Sequence, residues 1–151
     1  MAKLTGLLFL AVMISGCATG SNGRTSLFSV TAPVLAVLHD DLFVGEAVGY
    51  LDRTGSIDIR SALDPSVKCV GGFRYTGSRI GVADVRCNDG AEGRFSFNSL
   101  SALSGYGYGR TTRGPASFTF GLAPEEAANY LTLPKGMRLI RKPEGPTLEP
   151  I

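Results

Sequence analysis

Apolar and polar residues alternate with a period of two over much of the chain, the repeat of a strand with one face in a core and the other in water. Ser56-Ile57-Asp58-Ile59-Arg60 is one such arm, and 47–51 is the arm before it, joined through Asp52-Arg53-Thr54-Gly55. Further on, a turn at Gly77-Ser78-Arg79 sets Cys69 opposite Cys87, Phe73 opposite Ala83 and Tyr75 opposite Gly81. Large residues then meet small ones on one face, while Arg74, Asp84 and Arg86 take the other, which suits solvent. A second turn at Asn88-Asp89-Gly90, a three-residue loop with glycine in the left-handed position, sets Ala83 opposite Phe95, Gly81 opposite Phe97 and Cys87 opposite Ala91. A two-residue Asp-Gly loop would instead put Phe95 opposite Asp84. A slip of one residue would scramble both faces.

The same reading extends outward. Val30 and the run 34–38 form an apolar strand interrupted by Pro33, which predicts a sheet edge. Asp64-Pro65 marks a turn, and Ser117-Phe118-Thr119-Phe120 alternates again. The segment 124–131, with Pro124 at the first turn and Glu125 and Glu126 near the positive helix end, predicts the one helix; Leu133-Pro134 ends it. Arg138-Leu139-Ile140 reads as a last strand, and 143–151, with three prolines, as an unpaired tail. Hairpin arms recur roughly every 20 residues without matching a named repeat. The predicted fold is mostly β: a small antiparallel meander, barrel-like or roll-like, of consecutive hairpins with one short C-terminal helix.

The N-terminus is different in kind. Lys3 precedes an apolar run at 7–14 that is too short to span a bilayer and has the length of a signal-peptide core. It ends in Ile14-Ser15-Gly16-Cys17: an aliphatic residue, two small residues and a cysteine. These 17 residues resemble the lipobox of bacterial lipoproteins. The resemblance implies that 1–16 is a removed signal peptide and that Cys17 carries lipid and partners the membrane. Ala18 rather than Asp after the cysteine implies delivery to the outer membrane, facing the periplasm. The expected organisation is a lipidated tether at 17–26, a β domain at 27–142 and the Pro-rich tail at 143–151. Cys69 and Cys87 are then an even pair in an oxidising compartment, and the hairpin register makes them a structural disulfide.

Composition narrows the chemistry. A net charge of +2 and dispersed basic residues give no nucleic-acid footprint. One histidine and three cysteines leave too few ligands for a metal site, and no cofactor motif is present. His39-Asp40-Asp41 is the one His–carboxylate cluster and reads as a solvated turn after Leu38. Ser66 and Lys68 lie beside the Asp64-Pro65 turn, a poor setting for a buried catalytic lysine. Asp52, Asp64 and Asp89 fall in turns, where Asp is favoured for local hydrogen bonding. No catalytic residue is assigned. The candidate binding surface is Ser104-Gly105-Tyr106-Gly107-Tyr108-Gly109-Arg110 with Arg113, where Tyr106 and Tyr108 share a face and glycines line the other. Exposed, the rings suit sugars or a partner protein; buried, the glycines would allow close backbone approach.

The stretch from Cys69 to Gly109 resembles uncharacterised small proteobacterial envelope proteins, which adds location and not mechanism. The Ser-Gly and Tyr tract is similar to that of periplasmic lysozyme-inhibitor lipoproteins, although Arg113-Gly114 stands where Lys-Gly is expected. The expected function is a non-catalytic role in the envelope, structural or binding peptidoglycan or an envelope protein. The alternatives are inhibition of lysozyme-type enzymes, or a hydrolase with an unrecognised site.

Overall fold

The structure is a computed structural model and describes residues 28–151; the signal peptide, the lipobox and the whole tether at 17–26 lie outside the described residues. Eight strands follow one another: β1 (Val30–Leu38), β2 (Asp41–Gly49), β3 (Thr54–Ser61), β4 (Lys68–Tyr75), β5 (Ile80–Cys87), β6 (Glu92–Ser99), β7 (Gly105–Thr111) and β8 (Gly114–Phe120). Each pairs antiparallel with the next, and β8 returns to β1, so the sheet closes into a barrel. A short helix α1 (Pro124–Ala127) and a ribbon of β9 (Met137–Lys142) and β10 (Gly145–Pro150) complete the fold.

The central hairpins have the register that their side chains demand. Cys69 faces Cys87, Phe73 faces Ala83 and Tyr75 faces Gly81; Ala83 faces Phe95 and Gly81 faces Phe97. Gly90 takes φ 90° in the turn between β5 and β6, the left-handed position that favours glycine. Cys69 and Cys87 form a disulfide with Cα atoms 3.8 Å apart.

The interior is apolar and the outside is charged. Val34, Ala36, Phe43, Ile59, Cys69, Ala83, Val85, Phe95, Phe97 and Ala116 are buried in one cluster within the barrel. Asp58, Arg60, Arg74, Asp84, Arg86, Arg94 and Arg110 alternate with the interior positions and are exposed. A barrel that spans a membrane carries the opposite pattern, with an apolar outer band.

Three expectations are corrected. β1 is not an edge strand: it pairs with β2 on one side and β8 on the other. Its proline is tolerated because the β8 ladder covers only 34–38. Gly121 N still donates to Pro33 O at 2.8 Å, but the chain leaves the sheet there, so the missing proline donor falls one rung past the ladder. The run 34–38 is apolar because both faces are covered. Leu35 and Val37 join Leu42, Leu122, Ala127 and Leu131 in a second cluster, between the barrel wall and the C-terminal segment.

The helix is shorter than 124–131. It spans four residues and its N-cap, Ala123, offers no side-chain hydrogen bond. Beyond it Asn129 N to Glu126 O and Tyr130 N to Ala127 O close tighter turns, and Leu131 N also donates to Ala127 O at 3.0 Å, as an uncapped single turn does when packing rather than propensity holds it.

The tail at 143–151 is paired, in a two-stranded sheet separate from the barrel. β10 lies rung by rung along β9, from Gly145 opposite Lys142 to Pro150 opposite Met137. Ile151 N donates to Gly136 O at 2.9 Å. Bonded rungs alternate along an antiparallel pair, so the odd-numbered residues of β10 sit at them. Pro146 and Pro150 then fall at the rungs that need no donor toward β9.

Candidate functional site

The barrel is not filled along its length. β1 and β2 turn small residues inward, among them Ala32, Ala36, Ala47 and Gly49, and the facing wall turns in Phe73, Phe95, Phe97, Phe118 and Phe120. The rings pack edge to face, with centroids 5.4 Å apart for Phe95 and Phe118 and 6.0 Å for Phe97 and Phe120, the arrangement that ring quadrupoles favour. They are drawn back against the wall by inward glycines. A Cβ on Gly107 would stand 2.4 Å from Phe118 Cε1, and one on Gly81 2.2 Å from Phe97 Cζ. The space between the small wall and the aromatic wall is a cavity of about 570 Å³, within the ~300–1,000 Å³ of small-molecule sites.

The cavity is closed at one end and opens at the other. Phe43, Cys69 and Ala116 are buried toward the closed end and do not line it. The open end carries the β2–β3, β4–β5 and β6–β7 loops. Its polar lining comes from there: Tyr50, Arg53, Thr54, Tyr75, Ser78, Arg79, Ser99 and Ser101. Tyr75 and Ser99 share a hydroxyl hydrogen bond of 2.9 Å. Arg53 lies over the Tyr75 ring at 4.9 Å and donates through Nη2 to Gly77 O and Ser78 O. Arg79 donates through Nε to Ser99 O at 3.0 Å and through Nη2 to Leu100 O.

The tyrosine tract is divided. Gly105, Gly107 and Gly109 face inward, and Tyr106, Tyr108 and Arg110 face outward. Tyr106 is half-buried and stacked on Tyr130 at 4.7 Å and 22°, whereas Tyr108 is 48% exposed. The two rings meet each other at 66°, so they form no flat platform. Arg110 stands opposite Arg94 on β6. Arg113 is drawn away to Asp89, 2.6 Å from its Oδ2.

The other candidates resolve as turns. His39 and Asp40 are exposed, 3.3 Å apart, in the β1–β2 turn, with His39 at φ 61°. Asp41 points the other way, accepting a 2.5 Å hydrogen bond from Ser61 Oγ. Burial raises the Asp41 pKa above the usual carboxyl range, against the lowering by that bond. Asp52, Asp64 and Asp89 each accept the backbone N–H two residues on, from Thr54, Ser66 and Ala91. Ser66 Oγ donates to Asp64 rather than to Lys68. Among the described residues no three His, Cys, Asp or Glu side chains group as metal ligands.

Pattern reading found the large–small pairs but not the void between them, nor Arg53 and Arg79. The signal was there: inward alanines concentrate on two strands and phenylalanines on others.

These features define the class: a closed eight-stranded antiparallel barrel, charged outside, with an apolar internal cavity open at one end. No family model matches the chain and no curated protein matches it. Among solved structures it is similar to a de novo designed fluorescence-activating beta barrel, with a TM-score of 0.51 and 16% identity, over 64% of this chain and 94% of that one. That likeness concerns the fold.

Proposed function

We propose that the protein is an outer-membrane lipoprotein, anchored through Cys17 and facing the periplasm, whose barrel binds an apolar small molecule without converting it. The observation that carries the binding reading is the 570 Å³ cavity, which is apolar in depth and polar at its mouth. A void of this size that stays unfilled costs packing energy, and binding recovers it. The lipobox supports the anchor. Val30, the first residue of β1, lines the cavity mouth, so β1 begins at the open end. A binding role suits a cavity whose lining, among the described residues, is mostly hydrocarbon. Recognition of a wall glycan or an envelope protein by the tyrosine tract has less support, since Tyr130 covers Tyr106 and Asp89 holds Arg113.

The test is native mass spectrometry of the intact chain released from detergent micelles with hexadecanol as a neutral probe. A saturable 1:1 adduct is expected, and Ala47→Phe, which puts a ring into the cavity from the small-residue wall, should abolish it while leaving the melting temperature close to that of the unaltered chain. No adduct, or one that A47F leaves unchanged, would overturn the binding reading.

A further inference from the structure

Resting on that reading, we propose that the cavity takes a single-chain amphiphile with an anionic head, of the fatty-acid class, its tail in the barrel and its carboxylate between Arg53 and Arg79. Polarity along the barrel axis is segregated as such a molecule requires. From Leu38, Ile59 and Val85 up to Phe73 and Phe97 the lining is hydrocarbon, and the charged and hydroxyl groups are gathered at the mouth. The two guanidiniums come from different loops, β2–β3 and β4–β5, and both line the opening.

Both guanidiniums are held by backbone carbonyls. Their hydrogen bonds run to the carbonyls of Gly77, Ser78, Ser99 and Leu100, and among the described residues neither forms an ion pair with a carboxylate. Carbonyls orient a guanidinium without cancelling its charge. Each arginine has five N–H donors, so donors remain after these bonds. The three mouth loops carry one acid, Asp52, whose Oδ1 receives Thr54 N and Oγ1, so two cations stand there against one anion. An oriented pair of cations beside an apolar tunnel, in excess over the one mouth acid, complements a carboxylate. Leu51, Ile80 and Leu103 stand exposed around the same opening, which extends the apolar path outward.

The experiment compares hexadecanoate with hexadecanol, which share a chain length and differ in head charge, against the intact chain at pH 8 by competition in native mass spectrometry. The unaltered protein should favour hexadecanoate about tenfold, a size set by the exposure of both arginines, and rising salt should erode the preference. Arg53→Gln with Arg79→Gln should bind both probes equally, and its hexadecanol adduct reports an intact barrel. If the double variant binds neither, the two single variants decide, since each keeps one loop tied, and each should show a reduced preference. Equal binding of the probes by the unaltered protein, or a preference that survives the substitutions, would overturn the head-group assignment and leave the cavity reading standing. Binding of neither probe by the unaltered protein would overturn both.

Discussion

Gly71→Ala tests how closely the strands of this barrel approach. Gly71 faces inward on β4, opposite Val85 on β5. A Cβ there would lie 1.8 Å from Asp84 O and 2.8 Å from Val85 Cα, both backbone atoms. No rotamer change can relieve that contact, so β4 and β5 would have to separate by more than 1 Å at a central rung. Overpacking costs about 1–3 kcal/mol, and weakening two ladder hydrogen bonds adds about 1 kcal/mol each. A loss of at least ~3 kcal/mol follows. In a domain of roughly 120 residues that lowers Tm by about 12 °C. Gly49→Ala is the matched control: it also faces inward, but its nearest atoms would be 3.7 Å away, on Phe73 and Val30. It should be neutral, or stabilising by up to about 1 kcal/mol through the unfolded chain. Thermal melting followed by far-UV circular dichroism reads both. The reasoning is wrong if G71A melts within about 3 °C of G49A. Gly45 and Gly109 would drive a Cβ into Asp58 O and Arg94 O at 2.0 and 1.9 Å. The three positions together mark where neighbouring backbones approach too closely for a Cβ.

Three further outcomes are expected. Cys69→Ala with Cys87→Ala should cost about 3 kcal/mol by the chain-entropy relation for an 18-residue separation, read from urea midpoints under non-reducing conditions; unchanged midpoints, or two free thiols by mass spectrometry of the unreduced protein, would exclude a stabilising disulfide. Asp41 has a raised pKa, so the folded state binds its proton more tightly than the unfolded chain does. Its contribution is therefore absent at pH well below the ordinary carboxyl value of 3.8 and turns destabilising as pH rises through and above it. Asp41→Asn should gain stability relative to the unaltered protein between pH 3 and pH 7, and an unchanged difference across that range would refute this. Tyr130→Ala should expose Tyr106 and lose about 1 kcal/mol from the stacked pair beyond the buried area; a melting curve identical to that of the unaltered protein would show that the C-terminal segment does not hold there.

What the sequence determined by itself is local. The hairpin registers of β4, β5 and β6 were legible because cross-strand partners lie within 18 residues of each other and a slip would put Arg74 or Asp84 against phenylalanine. That Tyr106 and Tyr108 share a face was legible from period two, but which face turns outward was decided by the barrel. The disulfide followed from the same register, and the turn aspartates from their own short-range bonds. Tertiary structure decided the rest. Closure joins Val34 to Phe120, and it depends on the twist and bend accumulated over eight strands. No local pattern records that sum, which is why Pro33 reads as an edge and proves to lie just past the end of a ladder. The ribbon of β9 and β10 is stable because it covers Leu35, Val37 and Leu42, which are distant in sequence. The cavity is a difference between the volume the backbone encloses and the volume its inward side chains fill. Only the closed barrel sets the first quantity, and only it brings Arg53 and Arg79, two unremarked turn residues, to one opening.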